Sequence, residues 1–224
     1  FKKSRSPTRL FFFIGLALTG TTFSFAAEMP RSPHIFMVGD STMANYPLDL
    51  PYRGWGMELG RFLTNPGMVE NRARSGRSTK SYVAEGHWKK VLADLQPGDF
   101  VIIEFGHNDE KKTEALGTDP ATSFRDNLDH FIADIRAKGA SPILATPVSR
   151  RVFNARGRVV PTHGAFPDAT RAVARDQNVP LLDLERATAE WLESVGYGPS
   201  QKYFVWVAPK EFPKMRDGAK DSTH

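Results

Sequence analysis

The stretch Phe100-Val101-Ile102-Ile103-Glu104-Phe105-Gly106-His107-Asn108-Asp109 decides the fold. Its first six residues are the strongest strand signal in the chain, rich in β-branched and aromatic side chains, with Pro97-Gly98 before them and Gly106 after. A strand this apolar along its length needs cover on both faces, the pattern of a parallel sheet in an α/β protein. The polar residues that follow at once then fall outside the carboxyl edge of the sheet, where such folds place their chemistry.

The segments on either side repeat the pattern. His34-Ile35-Phe36-Met37-Val38 is a short apolar run ending at Gly39-Asp40, and Met68 to Asn71 is a weaker second strand. Pro142 to Pro147 and Val179 to Leu184 read as the last two strands. Between them, apolar residues at helical spacing predict helices over His87 to Leu95, Ala121 to Lys138, Phe166 to Gln177 and Ala187 to Val195. Trp55, Leu59, Phe62 and Leu63 predict a further helix over Trp55 to Leu63, with Trp55 in the core. Strands alternating with helices give a three-layer α/β fold around a parallel sheet.

The chain has 224 residues, 40% hydrophobic and 25% charged, and no cysteine. That suits one domain with a sizeable core and excludes disulfides and thiolate metal sites. Lys2, Lys3, Arg5 and Arg9 precede an apolar run from Leu10 to Leu18 and the small-residue site Ser24-Phe25-Ala26-Ala27. This is the pattern of a cleavable signal peptide over residues 1–27, with the folded domain at 28–224 and a secreted or periplasmic protein as the expectation. The apolar run is short for a membrane anchor. Four of the 30 basic residues precede Glu28 while all 25 acidic residues lie at or after it, so the mature chain is close to neutral at +1. The charge therefore points to no nucleic-acid partner and no stable membrane partner.

Three polar clusters follow the first three strands: Asp40-Ser41, Ser75-Gly76-Arg77-Ser78 and Gly106-His107-Asn108-Asp109. Each alone reads as a turn or a helix cap. Together with Asp221-Ser222-Thr223-His224 they supply the parts for acyl transfer. Ser41 at a strand-to-helix turn is a candidate nucleophile and His224 its base, with Asp221 to orient the imidazole. The amides of Ser41 and Gly76 and the side-chain amide of Asn108 are candidate donors to an oxyanion.

At these positions the chain resembles the SGNH (GDSL-type) hydrolases, whose four blocks match Gly39-Asp40-Ser41, Gly76, Gly106-x-Asn108-Asp109 and Asp221-x-x-His224 in order and spacing. The stretches Gly39 to Ala44, Gly54-Trp55-Gly56, Gly76-Arg77-Ser78, Thr146 to Arg151 and Thr162-His163-Gly164 are similar, more narrowly, to the rhamnogalacturonan acetylesterase branch. The resemblance runs from about His34 to His224. It implies a flavodoxin-like sheet of five parallel strands, a Ser41-His224-Asp221 triad, no metal or cofactor, and removal of acetyl groups from pectic rhamnogalacturonan or another acetylated polysaccharide; a monomer is expected. It also implies a truncated chain: the family continues past this histidine through a loop and a closing helix, and the first residue here is Phe1 rather than Met.

Other polar residues are weaker candidates. Arg77, Arg150 and Arg151 suit galacturonate carboxylates, since Arg meets planar anions with two parallel hydrogen bonds, and His163 lies in a loop near the site. His107 is expected to shape the loop around Asn108, Asp109 to order it, and His87 to be structural. No His, Asp and Glu cluster has metal-ligand spacing. The alternatives are an esterase for acetylxylan or another short acyl ester, and an inactive sugar-binding relative.

Overall fold

Alternating apolar strands and amphipathic helices build a five-stranded parallel sheet. A computed structural model of the chain describes residues 31–224; the expected signal peptide lies outside them. The strands are β1 (Ile35–Gly39), β2 (Val69–Asn71), β3 (Phe100–Glu104), β4 (Ser141–Ala145) and β5 (Leu181–Leu182), in the order β2-β1-β3-β4-β5. Every neighbouring pair is parallel. The helices are α1 (Thr79–Ala84), α2 (His87–Asp94), α3 (Ser123–Ala137), α4 (Phe166–Asp176), α5 (Leu184–Val195) and α6 (Tyr197–Ser200). A two-stranded antiparallel hairpin follows, β6 (Trp206–Val207) with β7 (Ala219–Lys220). No helix among the described residues is long and apolar enough to cross a membrane.

Strand periodicity divides the core. Phe36, Val38, Val101, Ile103 and Leu144 face one side, where they meet Trp88 and Val91 of α2, Phe124, Leu128, Phe131 and Ile135 of α3, and Phe166 and Val173 of α4. The intervening Met37, Ile102 and Ala145 face the other side, against Met43, Trp55, Leu59 and Leu184. The expected strands and the four later helices are all present, with ends shifted by up to three residues.

One local expectation fails, and one helix is new. Trp55 to Leu63 is not one helix but two 3₁₀ turns, Trp55–Met57 and Leu59–Phe62. The reason is close packing of backbone on backbone: a Cβ on Gly54 would lie 2.2 Å from the Ala44 carbonyl oxygen, and one on Gly56 would lie 2.5 Å from that of Met43. This segment is shaped by the Ser41 turn it rests on. Conversely, α1 was not foreseen. It has six residues and too little periodicity to read, and it starts at a capping box in which Ser78 and Ser81 exchange hydrogen bonds.

One charged residue interrupts the apolar run of β3. Glu104 is fully buried, and its Oε2 accepts from Trp55 Nε1 at 2.7 Å while Oε1 accepts from the Val148 amide at 3.2 Å. A second buried carboxyl, Asp40, accepts from the Thr42 amide at 3.0 Å. The Thr42 hydroxyl lies 2.9 Å from Asp40 Oδ1 and 3.1 Å from Glu104 Oε1. One hydroxyl proton cannot serve two carboxylates. Both contacts are satisfied when Glu104 keeps its own proton and donates to Thr42, which donates to Asp40. Burial first, and the neighbouring Asp40 charge second, push Glu104 up to about 8, and burial raises Asp40 as well.

The stability consequence has a definite sign. The folded pKa of Glu104 lies above its ordinary value of 4.5, so its contribution is full below about pH 4.5, declines as pH rises, and is gone above about pH 8. Urea unfolding of Glu104→Gln, measured from pH 5 to 9, is expected to show less loss of stability across that window than the unsubstituted chain. Parallel profiles for the two proteins would show that another group titrates there.

Candidate active site

Ser41 stands just past the carboxyl end of β1, on a turn held from several sides. The Met43 and Ala44 amides donate back to the Asp40 carbonyl, the Trp55 amide donates to the Thr42 carbonyl at 2.8 Å, and Asn71 Nδ2 donates to the Met43 carbonyl at 2.7 Å. Ser41 is half-buried. Its carbonyl accepts from Tyr46 Oη at 3.0 Å, whereas its amide and hydroxyl make no hydrogen bond among the described residues.

Beside this turn lies the Ser75-Gly76-Arg77 loop, past β2. Ser75 Oγ is 2.6 Å from Tyr46 Oη, so one phenol joins the two loops. Gly76 has φ +78°, a left-handed conformation natural to glycine, and its amide is unpaired among the described residues. Asn108, past β3, is buried; its Nδ2 donates to the Arg77 carbonyl at 3.0 Å and its Oδ1 accepts from Lys111 Nζ at 2.6 Å. An amide nitrogen has two protons, so Asn108 Nδ2 keeps one to offer. Asp109 accepts from the Thr79 amide and hydroxyl and from Thr118 Oγ1, tying this loop to the start of α1 as expected.

His224 is brought in from the far end of the chain. Its Nδ1 is 2.9 Å from Asp221 Oδ2, and Asp221 Oδ1 accepts the Thr223 amide at 2.7 Å. Burial alone would raise Asp221, but the hydrogen bonds from His224 and the Thr223 amide outweigh it and hold the carboxyl below its usual range. An ionised Asp221 accepts a hydrogen bond from Nδ1–H, which leaves Nε2 as the nitrogen with the lone pair. That Nε2 is buried and has no partner among the described residues. The ring packs edge-on against Tyr46 and Tyr52, with centroids 6.2 and 5.6 Å away. The segment itself hangs on Val205, just before β6, and on the loop after β4: the Asp221 amide donates to the Val205 carbonyl, the Val205 amide to the His224 carbonyl, and the Arg151 amide to the Ser222 carbonyl at 2.7 Å.

The expected sugar contacts fare differently. His163 is 1% exposed, with Nδ1 3.1 Å from Glu110 Oε2 and Nε2 3.0 Å from the Val148 carbonyl. Both ring nitrogens are spent inside the protein, so it is not a substrate contact. Arg150 is likewise committed, to Glu110, to Thr162 and to the His163 ring. Arg151 is 3% exposed and stacks on Tyr197 and Trp206, with Nε donating to Ser200 Oγ. Arg77 donates Nε to Glu85 and Nη1 to the Ser75 carbonyl, with Nη2 left over. His107 sits beneath the loop with its ring 4.3 Å from His163 and Nδ1 3.6 Å from Asp40 Oδ2, and burial pushes it well below the usual imidazole range.

Four residues that matter here were passed over in the sequence. Glu104 carried a signal, a charge inside an apolar strand. Tyr46, Glu110 and Arg74 carried none. Arg74 is exposed, its guanidinium has no partner among the described residues, and with Asn45, Tyr46, Ser75, Arg77 and His87 it lines a cleft of about 370 Å³ beside the Gly76 loop. No group of three or more His, Cys, Asp or Glu among the described residues is placed to hold a metal ion.

Residues 37–202 match the GDSL-like lipase/acylhydrolase family. Over 197 residues the chain is 38% identical to the rhamnogalacturonan acetylesterase RhgT of Bacillus subtilis (strain 168), covering 88% of this chain and 84% of that one. It is 34% identical over 195 residues to YesY of the same organism, a probable rhamnogalacturonan acetylesterase, covering 85% and 84%. The crystal structure of Bacillus subtilis YxiM superposes with a TM-score of 0.68 at 25% identity, over 78% of this chain and 49% of that one, so this chain spans about half of that protein. The fold is also that of a catalytic mutant of Axe2, an acetylxylan esterase from Geobacillus stearothermophilus, with a TM-score of 0.58 at 15% identity over 85% and 89%. A family match over residues 37–202, together with 38% identity to RhgT across most of both chains, establishes that the protein belongs to the GDSL-like lipase/acylhydrolase family and is a carboxylic ester hydrolase.

Proposed function

We propose that the chain is a carbohydrate acetylesterase, that Ser41, His224 and Asp221 are its catalytic residues, and that acetylated pectic rhamnogalacturonan is its substrate. The observation that supports the mechanism is the His224 ring: Asp221 holds Nδ1, Nε2 has no partner among the described residues, and the ring packs on Tyr46, whose hydroxyl donates to the carbonyl of Ser41. In the forward step Nε2 takes the Ser41 proton as Oγ attacks the acetyl carbonyl. The oxyanion is met by the Ser41 and Gly76 amides and by the spare proton of Asn108 Nδ2. Collapse passes the proton from His224 to the departing sugar oxygen and leaves an acetyl group on Ser41. Water, deprotonated by His224, then releases acetate.

The substrate class rests on two supports. The curated relatives RhgT and YesY carry the rhamnogalacturonan acetylesterase name. The cleft next to the Gly76 loop also presents Arg74 with no internal partner, a group suited to a galacturonate carboxylate. An extracellular polysaccharide also agrees with the export expected from residues 1–27.

Ser41→Ala is expected to abolish hydrolysis of p-nitrophenyl acetate, and wild-type rates in that variant would refute the nucleophile. Asn108→Ala is expected to lower kcat by about 10²–10³-fold. Acetate release measured on acetylated pectin and acetylated xylan is expected to be faster on pectin, and faster release from xylan would move the substrate there. Arg74→Ala is expected to raise KM on acetylated pectin several-fold, with kcat little changed.

A further inference from the structure

We propose that Arg77 is a positioning residue of the oxyanion hole, acting on two of its three donors, rather than a substrate contact. This rests on the esterase reading above. Arg77 Nη1 donates to the Ser75 carbonyl at 2.9 Å. That carbonyl and the Gly76 amide are the two ends of one peptide unit. A guanidinium on the oxygen draws electron density from the unit and strengthens its N–H as a donor, because hydrogen bonds in series polarise one another and a charged donor polarises most. The backbone carbonyl of the same residue accepts from Asn108 Nδ2 at 3.0 Å. It thereby fixes one amide proton of Asn108 and aims the other.

The guanidinium is itself held. Its Nε donates to Glu85 Oε2 at 2.8 Å, so Nη1 meets the Ser75 carbonyl from a fixed direction. On the far side of the loop, Ser75 Oγ and Tyr46 Oη join the loop to the Ser41 carbonyl. Ser75 is therefore held by its carbonyl to a cation and by its hydroxyl to a phenol that also bonds the Ser41 carbonyl. The Arg77 side chain is 40% exposed, so water screens part of its field and the effect is smaller than that of losing an oxyanion donor outright.

A neutral ester separates this role from binding a sugar carboxylate. On p-nitrophenyl acetate, Arg77→Gln is expected to lower kcat about tenfold with KM unchanged, the size expected for losing one hydrogen bond from a charged group. Arg77→Lys should recover part of that loss, since an ammonium can reach the Ser75 carbonyl or Glu85 but not both in the guanidinium geometry. Combined with Asn108→Ala, the Arg77→Gln loss should be less than multiplicative, because both act on one oxyanion. Should Arg77→Gln fail to fold, Glu85→Gln keeps the guanidinium but weakens its anchor at Nε, and should lower kcat in the same direction.

The proposal is overturned if folded Arg77→Gln keeps the full kcat on p-nitrophenyl acetate and loses activity only on acetylated pectin through KM. It is also overturned if Arg77→Gln and Asn108→Ala multiply independently. Ser41→Ala, assayed alongside, keeps the two levels apart. An inactive Ser41→Ala with an unaffected Arg77→Gln refutes only the role of Arg77, whereas an active Ser41→Ala refutes the esterase mechanism itself.

Discussion

Asp40 and Glu104 are buried side by side under the Ser41 turn, and the loops at this end of the sheet are organised around that pair. A lone buried carboxylate is costly and two adjacent ones far more so, because burial removes hydration from each charge and the two repel. Sharing one proton through the Thr42 hydroxyl leaves a single negative charge. It also turns Glu104 into a tie between three segments: the turn after β1, the Trp55 segment, and the loop after β4 at Val148. A shift of the Ser41 turn would disturb the Thr42 bond to this buried carboxyl.

The same logic extends outward along the edge. Behind Val148 the His163 ring is fixed between that residue's carbonyl and Glu110, and Arg150 closes the cluster. Residues that looked like surface cations able to meet a sugar are instead consumed in holding the loop after β4. Arg151 continues the pattern. Its guanidinium has aromatic faces and neutral acceptors for company, and its amide reaches the segment carrying Asp221 and His224. Asp221 and His224 follow the β6-β7 hairpin, and their placement depends on these contacts with Val205 and Arg151.

Much of this was legible in the sequence. Apolar runs ending at glycines located the strands, and parallel pairing followed from strands apolar on both faces. Helical spacing located α2 to α5. The turn residues after three strands, with Asp221 and His224, marked the edge where chemistry would sit. These are local properties, set by the side-chain period of strand or helix and by the few residues that permit a given turn.

What the sequence could not decide was which polar side chains face substrate and which face each other. His163 and Glu110 are 53 residues apart, and Trp55 and Glu104 are 49 apart. Nothing in the spacing of either pair announces a hydrogen bond, because such pairs exist only once the sheet order β2-β1-β3-β4-β5 has placed successive loops side by side. The helix expected over Trp55 to Leu63 failed for a related reason: the backbone of the Ser41 turn leaves room there only for glycine. The sequence by itself determined the strands, their buried faces and the residue types able to cleave an ester. The tertiary structure alone decided that Glu104 ties down the Ser41 turn, that Arg150 and His163 are spent inside the protein, and that Arg74 is left lining the cleft. A buried polar group must find its partner within hydrogen-bond reach, and only the packed fold sets who is within reach.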